Sequence, residues 1–251
     1  MNVSNIKANN YDIFLNVDFN LIQYSGIVVI KIDVKKSFDN LEINSDNFDI
    51  KFVKVNDVKC DFLVDTNKKI INIKSDFIKH KKYEIKIKFR WKKITEEPDG
   101  FYQTIKNNQI VMCTHLEPIS ARKFIPCFDY PNLKAQFTLI VKLSDPNKKC
   151  ISNMSVKKSY LIENGAGKII FFNSTPPMST YLLCLVCGDI TNSETEQVKT
   201  KQGVLINGYG IHRDIPYIEW SVKKTAEALD YFETWFGIKY PLDKLDIGSI
   251  P

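Results

Sequence analysis

Eighteen residues, THLEPISARKFIPCFDYP from Thr114 to Pro131, concentrate chemistry that the rest of the chain lacks. Glu117, Arg122 and Asp129 bring charge, His115 an imidazole and Cys127 a thiol, while Pro118, Pro126 and Pro131 fix the backbone around them. Two readings stand: a structural corner, or one wall of an active site. Arg122 carries a planar fork that can hold a carboxylate by two parallel hydrogen bonds. Asp129 lies seven residues on, ahead of Pro131, where its side chain can also bond the turn backbone. The pair predicts a brace, with Pro126 and Cys127 in a rigid, partly buried corner. Glu117 reads differently. The following proline fixes it at the end of a strand, and a carboxylate held there can receive a cation such as a substrate ammonium. The plain alternative is a solvated glutamate.

Other chemistry-bearing residues are scattered. Cys184 and Cys187 form a C-x-x-C, but they fall in an apolar strand, where positions three apart face opposite sides, and no second Cys or His pair follows at zinc-ligand spacing. Buried thiols are the expectation. Apart from that pair the cysteines are far apart in sequence, and the first residues, MNVSNIKANNYD, contain no apolar core of a secretion signal, so reduced thiols and a cytoplasmic location are expected. His80, His115 and His212 are the three histidines, and none has a second at helical spacing. Surface or strand positions are expected for them, with no metal ligand among them. No nucleophile–base pair, phosphate-cradling glycine loop or paired-carboxylate site emerges at a convincing spacing.

The elements that must position these residues are mostly strands. The 251 residues are 44% hydrophobic and 25% charged, enough for a sizeable core. The net charge of +6 is mild and its lysines are spread along strands, which argues for a solvated surface and against a nucleic-acid or membrane partner. Period-two alternation is clear in YDIFLNVDF, where Tyr11, Ile13, Leu15, Val17 and Phe19 share a face, and in KYEIKIKFRWK, where Tyr83, Ile85, Ile87, Phe89 and Trp91 do. Further strands are predicted at Ile27–Val34, Asp49–Val55, Ile70–Ile73, Gln109–Thr114, Gln136–Leu143, Lys168–Asn173 and Tyr181–Cys187, with DTNK and ENGAGK as hairpin tips. About ten strands up to Gly188 make a mainly β protein, an antiparallel sandwich or saddle. Beyond Gly188 the composition shifts. A polar loop and one more strand precede a single helix from about Ile215 to Phe236, with Asp214 as N-cap, Pro216 in the first turn and Gly237 as left-handed C-cap. Ile215, Ile218, Val222, Ala226, Leu229, Phe232 and Phe236 form its apolar stripe, which the few tail strands can receive only in part. Residues 189–251 are therefore expected to open a second, incomplete domain, after a first domain of residues 1–188.

GFYQ (Gly100–Gln103) followed by THLEPISARKFIPCFDYPNLKAQFTL resembles the N-terminal domain of the aminopeptidase N family of zinc metallopeptidases. The segments SNMSV (Ser152–Val156), TPPMSTYLLCLVCGD (Thr175–Asp189) and FGIKYPLDKLDIGSIP (Phe236–Pro251) resemble family segments in the same order, so the likeness covers the whole chain. Tricorn-interacting-factor aminopeptidases are the nearest type by this likeness. The resemblance implies a saddle-shaped β-domain followed by the first strand and helix of a thermolysin-like domain. It also implies that Glu117 binds the α-ammonium of the peptide's first residue, and that His115, standing where the family usually has glutamine, borders the pocket for the first side chain. Imidazole can replace an amide hydrogen bond but can also carry charge near neutral pH, so the departure bears on specificity. The family's Gly-x-Met-Glu-Asn loop and zinc-binding His-Glu-x-x-His helix are not in these residues, so this chain is expected to hold no zinc ligand and to be inactive alone. The partners implied are a peptide N-terminus and a catalytic portion, whether linked or on a separate chain. The alternative is a stand-alone β-rich module that binds a protein or peptide.

Overall fold

The computed structural model describes residues 3–91, 93–192, 198–211 and 215–250, the side chains of Val3, Ile215 and Pro216 excepted. Its first hairpin follows from alternation. Strands β1 (Ile6–Asp18) and β2 (Gln23–Val34) pair antiparallel and turn Tyr11, Ile13, Leu15, Val17, Val28 and Ile30 to one buried face. Each such side chain removed from water contributes about 1.5–3 kcal/mol. Next come β3 (Phe38–Asn44), β4 (Asp49–Val55), β5 (Val58–Lys59), β6 (Phe62–Asp65), β7 (Ile70–Phe77) and β8 (Lys82–Trp91). In β8, Tyr83, Ile85, Ile87 and Phe89 are buried while Lys82, Lys88 and Arg90 stand in solvent, as the period of two requires. Strands β9 (Gly100–Lys106) and β10 (Gln109–His115) form another hairpin. Then follow β11 (Gln136–Leu143), β12 (Lys149–Ser152), β13 (Val156–Leu161), β14 (Lys168–Phe172) and β15 (Leu185–Gly188).

Eight strands build the large sheet in the order β13-β14-β11-β1-β2-β8-β4-β5. It is antiparallel except where β11 joins β1 in parallel. A three-stranded sheet, β3-β7-β6, and a four-stranded one, β12-β15-β10-β9, share one apolar core with it. The protein is mainly β, as the sequence predicts. DTNK and ENGAGK lie at the tips of the β6–β7 and β13–β14 pairs. More strands form than alternation alone picks out, because short ones such as β5 and β12 carry too few residues to show a period.

One expected strand differs. Thr180–Leu182 is a 3-10 turn, and the strand begins only at Leu185. Asn153 accounts for this: its side-chain amide donates to the Leu182 carbonyl at 2.8 Å and its Oδ1 accepts from the Cys184 N–H at 2.7 Å, occupying groups a ladder would need.

Beyond Gly188, β16 (Thr191–Asn192), β17 (Val198–Lys199), β18 (Leu205–Gly210) and β19 (Lys244–Ser249) form a further sheet, with β19 parallel to β18. The single α-helix among the described residues, α1 (Ile215–Phe236), packs Ile218, Val222 and Ala226 with Ile206 of this sheet and Val204 just before β18. Gly237 ends it with φ +66°, as expected for a left-handed C-cap. Asp214, the expected N-cap, and His212 lie outside the described residues, as do the side chains of Ile215 and Pro216. The stripe is only half covered. Leu229 is partly buried, but Phe232 and Phe236 are exposed, and Tyr231 and Trp235 beside them are 57% and 70% exposed. These rings stack in pairs, Tyr231 on Trp235 and Phe232 on Phe236. No described helix is long and apolar enough to cross a membrane.

Candidate functional site

The corner from Thr114 to Pro131 starts where β10 ends. His115 is the last paired residue, opposite Gly100 of β9. Gly100 must be glycine: its φ is +76°, and a Cβ there would lie 2.6 Å from the Lys123 Cβ. That contact seats the start of β9 directly on the short 3-10 turn Ala121–Lys123, the helical turn anticipated for ISARKF. Lys123 then forms an ion pair with Asp99 across the same junction. The His115 Nδ1 lies 2.8 Å from the Pro98 carbonyl oxygen, so Nδ1–H donates.

Glu117 lies two residues past the last pair of β10, in a turn, so the sequence expectation that it ends the strand is off by that short extension. Leu116, buried, plugs the core between them. The Ser120 N–H closes the turn onto the Leu116 carbonyl at 2.9 Å. The Glu117–Pro118 bond is cis. Glu117, Pro118 and Ile119 are all exposed, so the carboxylate sits on an open rim with His115.

Beneath the rim lies the brace. The Arg122 Nε donates to Asp129 Oδ2 at 2.9 Å, and the Arg122 backbone N–H reaches the same oxygen at 3.3 Å. The second bond comes from the backbone instead of the second arm of the fork, because the 3-10 turn points that N–H inward. Asp129 Oδ1 accepts from the Thr180 hydroxyl at 3.3 Å. Pro126 and Cys127 are fully buried, deeper than the partly buried corner expected. Cys127 bridges to Asn44, with N–H to carbonyl bonds of 2.9 and 3.0 Å in both directions, and the Asn44 side chain accepts from the Asp129 N–H at 3.1 Å. Tyr11 accepts the Phe128 N–H at 3.1 Å, and Tyr24 donates to the Phe124 carbonyl at 2.8 Å. Burial pushes the Cys127 thiol well up, and the Asp129 carboxylate pushes it further, so it stays protonated and unreactive near neutral pH.

Sequence reasoning missed Asn44, Tyr11, Tyr24 and Thr180, whose partners are remote along the chain. It also missed the Asp99–Lys123 pair, although Asp99 directly precedes GFYQ. Burial alone would raise the Asp99 carboxyl, but hydrogen bonds from Lys123 and Ser120 and the lysine charge hold it below its ordinary 3.8. The stability from this pair is therefore complete above pH 3.8 and lost as pH falls through the lower folded value. Asp99→Asn should have a lower urea midpoint than the parent at pH 6, with the gap closing on acidification below the carboxylate range. A gap that persists at pH 2 would contradict this origin.

Among the described residues, no three His, Cys, Asp or Glu side chains gather to hold a metal. His80 is exposed in a turn, far in sequence from His115. The described residues bring together no donor set that would fit a zinc ion. A cleft of about 610 Å³ opens at the other end of the corner, lined by Pro131, Met178, Tyr181, Tyr240 and Pro241 among others, and Glu117 is not part of it. What the corner offers chemically is an exposed carboxylate near an exposed imidazole on a braced rim, and the carboxylate can bind a cationic group.

A family model for the peptidase M1 N-terminal domain matches residues 7–182. The chain belongs to the M1 peptidase family. Among the similar relatives of this M1 chain are probable aminopeptidase 1 of Sulfurisphaera tokodaii, 33% identical over 247 residues, and leucyl aminopeptidase of Saccharolobus solfataricus, 30% identical over 248 residues. The mitochondrial aminopeptidase 2 of Saccharomyces cerevisiae is 29% identical over 255 residues. These alignments cover 98%, 98% and 96% of this chain but 29%, 30% and 26% of the respective relatives. The M1 chain thus spans less than a third of the length of the proteins it resembles.

Proposed function

We propose that this chain is the N-terminal, substrate-anchoring part of a zinc-dependent aminopeptidase that removes N-terminal residues from peptides. Residues 1–188 form its β-domain, and residues 189–251 open the thermolysin-like catalytic domain. Glu117 anchors the peptide's α-ammonium, and His115 borders the pocket for the first side chain. Arg122, Asp129, Pro126 and Cys127 are structural. What carries the reading is the exposed Glu117 carboxylate on a rim braced from below, in a chain of the M1 family. An internal peptide bond offers no cation there, so the carboxylate selects chain ends. The metal lies outside this chain's described residues, and the chain alone has no peptidase activity. The cytoplasm suits its free cysteines.

The test is a chimera. These 251 residues would replace the corresponding segment of the Sulfurisphaera tokodaii relative, and aminoacyl-anilide hydrolysis would be measured. Removing a charged hydrogen bond of about 2–3 kcal/mol, Glu117→Gln should lower kcat/KM by roughly 100-fold. Equal rates for the two chimeras would refute the anchoring role.

A second reading is a stand-alone β-rich module that binds a protein or peptide. The exposed Phe232, Trp235 and Phe236 favour the first reading instead, with further polypeptide, linked or separate, packed on the far half of α1. Size-exclusion chromatography separates the two: reversible self-association cured by mild detergent supports an uncovered interior face, and a monodisperse monomer supports the module.

A further inference from the structure

Sheet register brings together two cysteines that lie far apart in sequence. Cys150 of β12 stands directly opposite Cys187 of β15, and their sulfurs are 2.8 Å apart. Directly opposed residues of antiparallel strands have Cα atoms about 4.5–5.5 Å apart, inside the span a disulfide bridges without backbone movement. Cys184, the other member of the C-x-x-C, lies before the strand begins and is not the partner of Cys187. The two sulfurs also differ in access. Cys187 is 0% exposed, whereas Cys150 is 7% exposed and lines a surface depression of about 270 Å³ that includes Lys168. Lys168 is partly withdrawn from water, which favours its neutral form.

We propose that Cys150 and Cys187 form a peroxide-reactive dithiol, with Cys150 as the attacked thiol and Cys187 as the resolving one. The Cys150 thiolate attacks one peroxide oxygen, an S–O bond forms, the O–O bond breaks, and the hydroxide released takes up a proton to leave as water. The Cys187 sulfur then attacks the Cys150 sulfur. The S–S bond forms, the S–O bond breaks, and a second water leaves with the Cys187 proton. Two thiols are oxidised by two electrons and one hydrogen peroxide is reduced to two waters. The bond staples β12 to β15, the strands beneath the tail. There the Lys244 ammonium donates to the Ser152 carbonyl at 2.7 Å, and the Ser152 hydroxyl to the Cys184 carbonyl at 2.6 Å.

The experiment treats the folded 251-residue chain with a small excess of hydrogen peroxide. Unreacted thiols are then alkylated in denaturant, and the digest is mapped with and without dithiothreitol. The expected result is a Cys150–Cys187 linked peptide, an intact mass lower by about 2 Da, and reversal by dithiothreitol. In Cys187→Ser, Cys150 should stop at the sulfenic acid and be trapped by dimedone. In Cys150→Ser, Cys187 should remain fully alkylatable. Alkylation of all six cysteines after oxidation, or a linkage between any other pair, would overturn the proposal. A sulfenic acid on Cys187 in Cys150→Ser would overturn the assigned order. The parent map needs no variant to fold.

Discussion

Arg122→Ala lowers the unfolding free energy of the chain by about 4 kcal/mol. The magnitude follows from what remains behind. Asp129 is 3% exposed, and among the described residues its carboxylate keeps the Arg122 backbone N–H and the Thr180 hydroxyl, both at 3.3 Å, once the guanidinium is gone. A buried anion without its countercharge is strongly destabilising. The loss also reaches the rim, because the Arg122 carbonyl accepts the Asp46 N–H at 2.9 Å and the neighbouring Lys123 holds Asp99. Urea unfolding followed by circular dichroism measures it. The double variant Arg122→Ala with Asp129→Ala should lose clearly less than the sum of the single losses, since the orphaned charge is absent. A single-variant loss under about 1 kcal/mol would mean that the pair behaves as a surface contact.

Gly188→Ala costs about 3–4 kcal/mol and loosens the tail. Gly188 has φ +145°, and a Cβ there would meet the Ile110 carbonyl oxygen at 2.2 Å and the Val111 Cα at 2.8 Å. Both obstacles are backbone, so β15 must move off β10. Asp189 follows directly, and its hold depends on that fit: its N–H donates to the Ile110 carbonyl at 2.9 Å, its carboxylate accepts the Ile110 N–H at 2.8 Å, and Lys148 reaches both carboxylate oxygens at 2.7 Å. Val111 also packs with Ile190 and Ile211 at this joint. Hydrogen exchange should therefore quicken across residues 198–250 more than in β1 and β2, alongside the shift in urea midpoint. Uniform exchange with an unchanged midpoint would show that the joint tolerates the added methyl group.

The sequence by itself determined the faces. Alternation in β1 and β8 settles which side chains are buried, because a strand has a period of two whatever it pairs with. The Arg122–Asp129 brace was legible for a similar reason: the partners lie within one turn of chain and their chemistry is complementary. The half-stripe of α1 was only partly legible. Periodicity names an apolar face, but burial requires a surface to meet it, and Ile218 and Val222 have one while Phe232 and Phe236 do not. Tertiary structure alone decided the long-range partners. Asn44 meets Asp129 across 85 residues and Tyr11 meets Phe128 across 117, because separate sheets converge on the corner. Strand register likewise brought Cys187 to Cys150, against the local spacing that pairs it with Cys184 on paper. Hydrogen-bond registers between strands are set by the whole core, and no short stretch of sequence contains them.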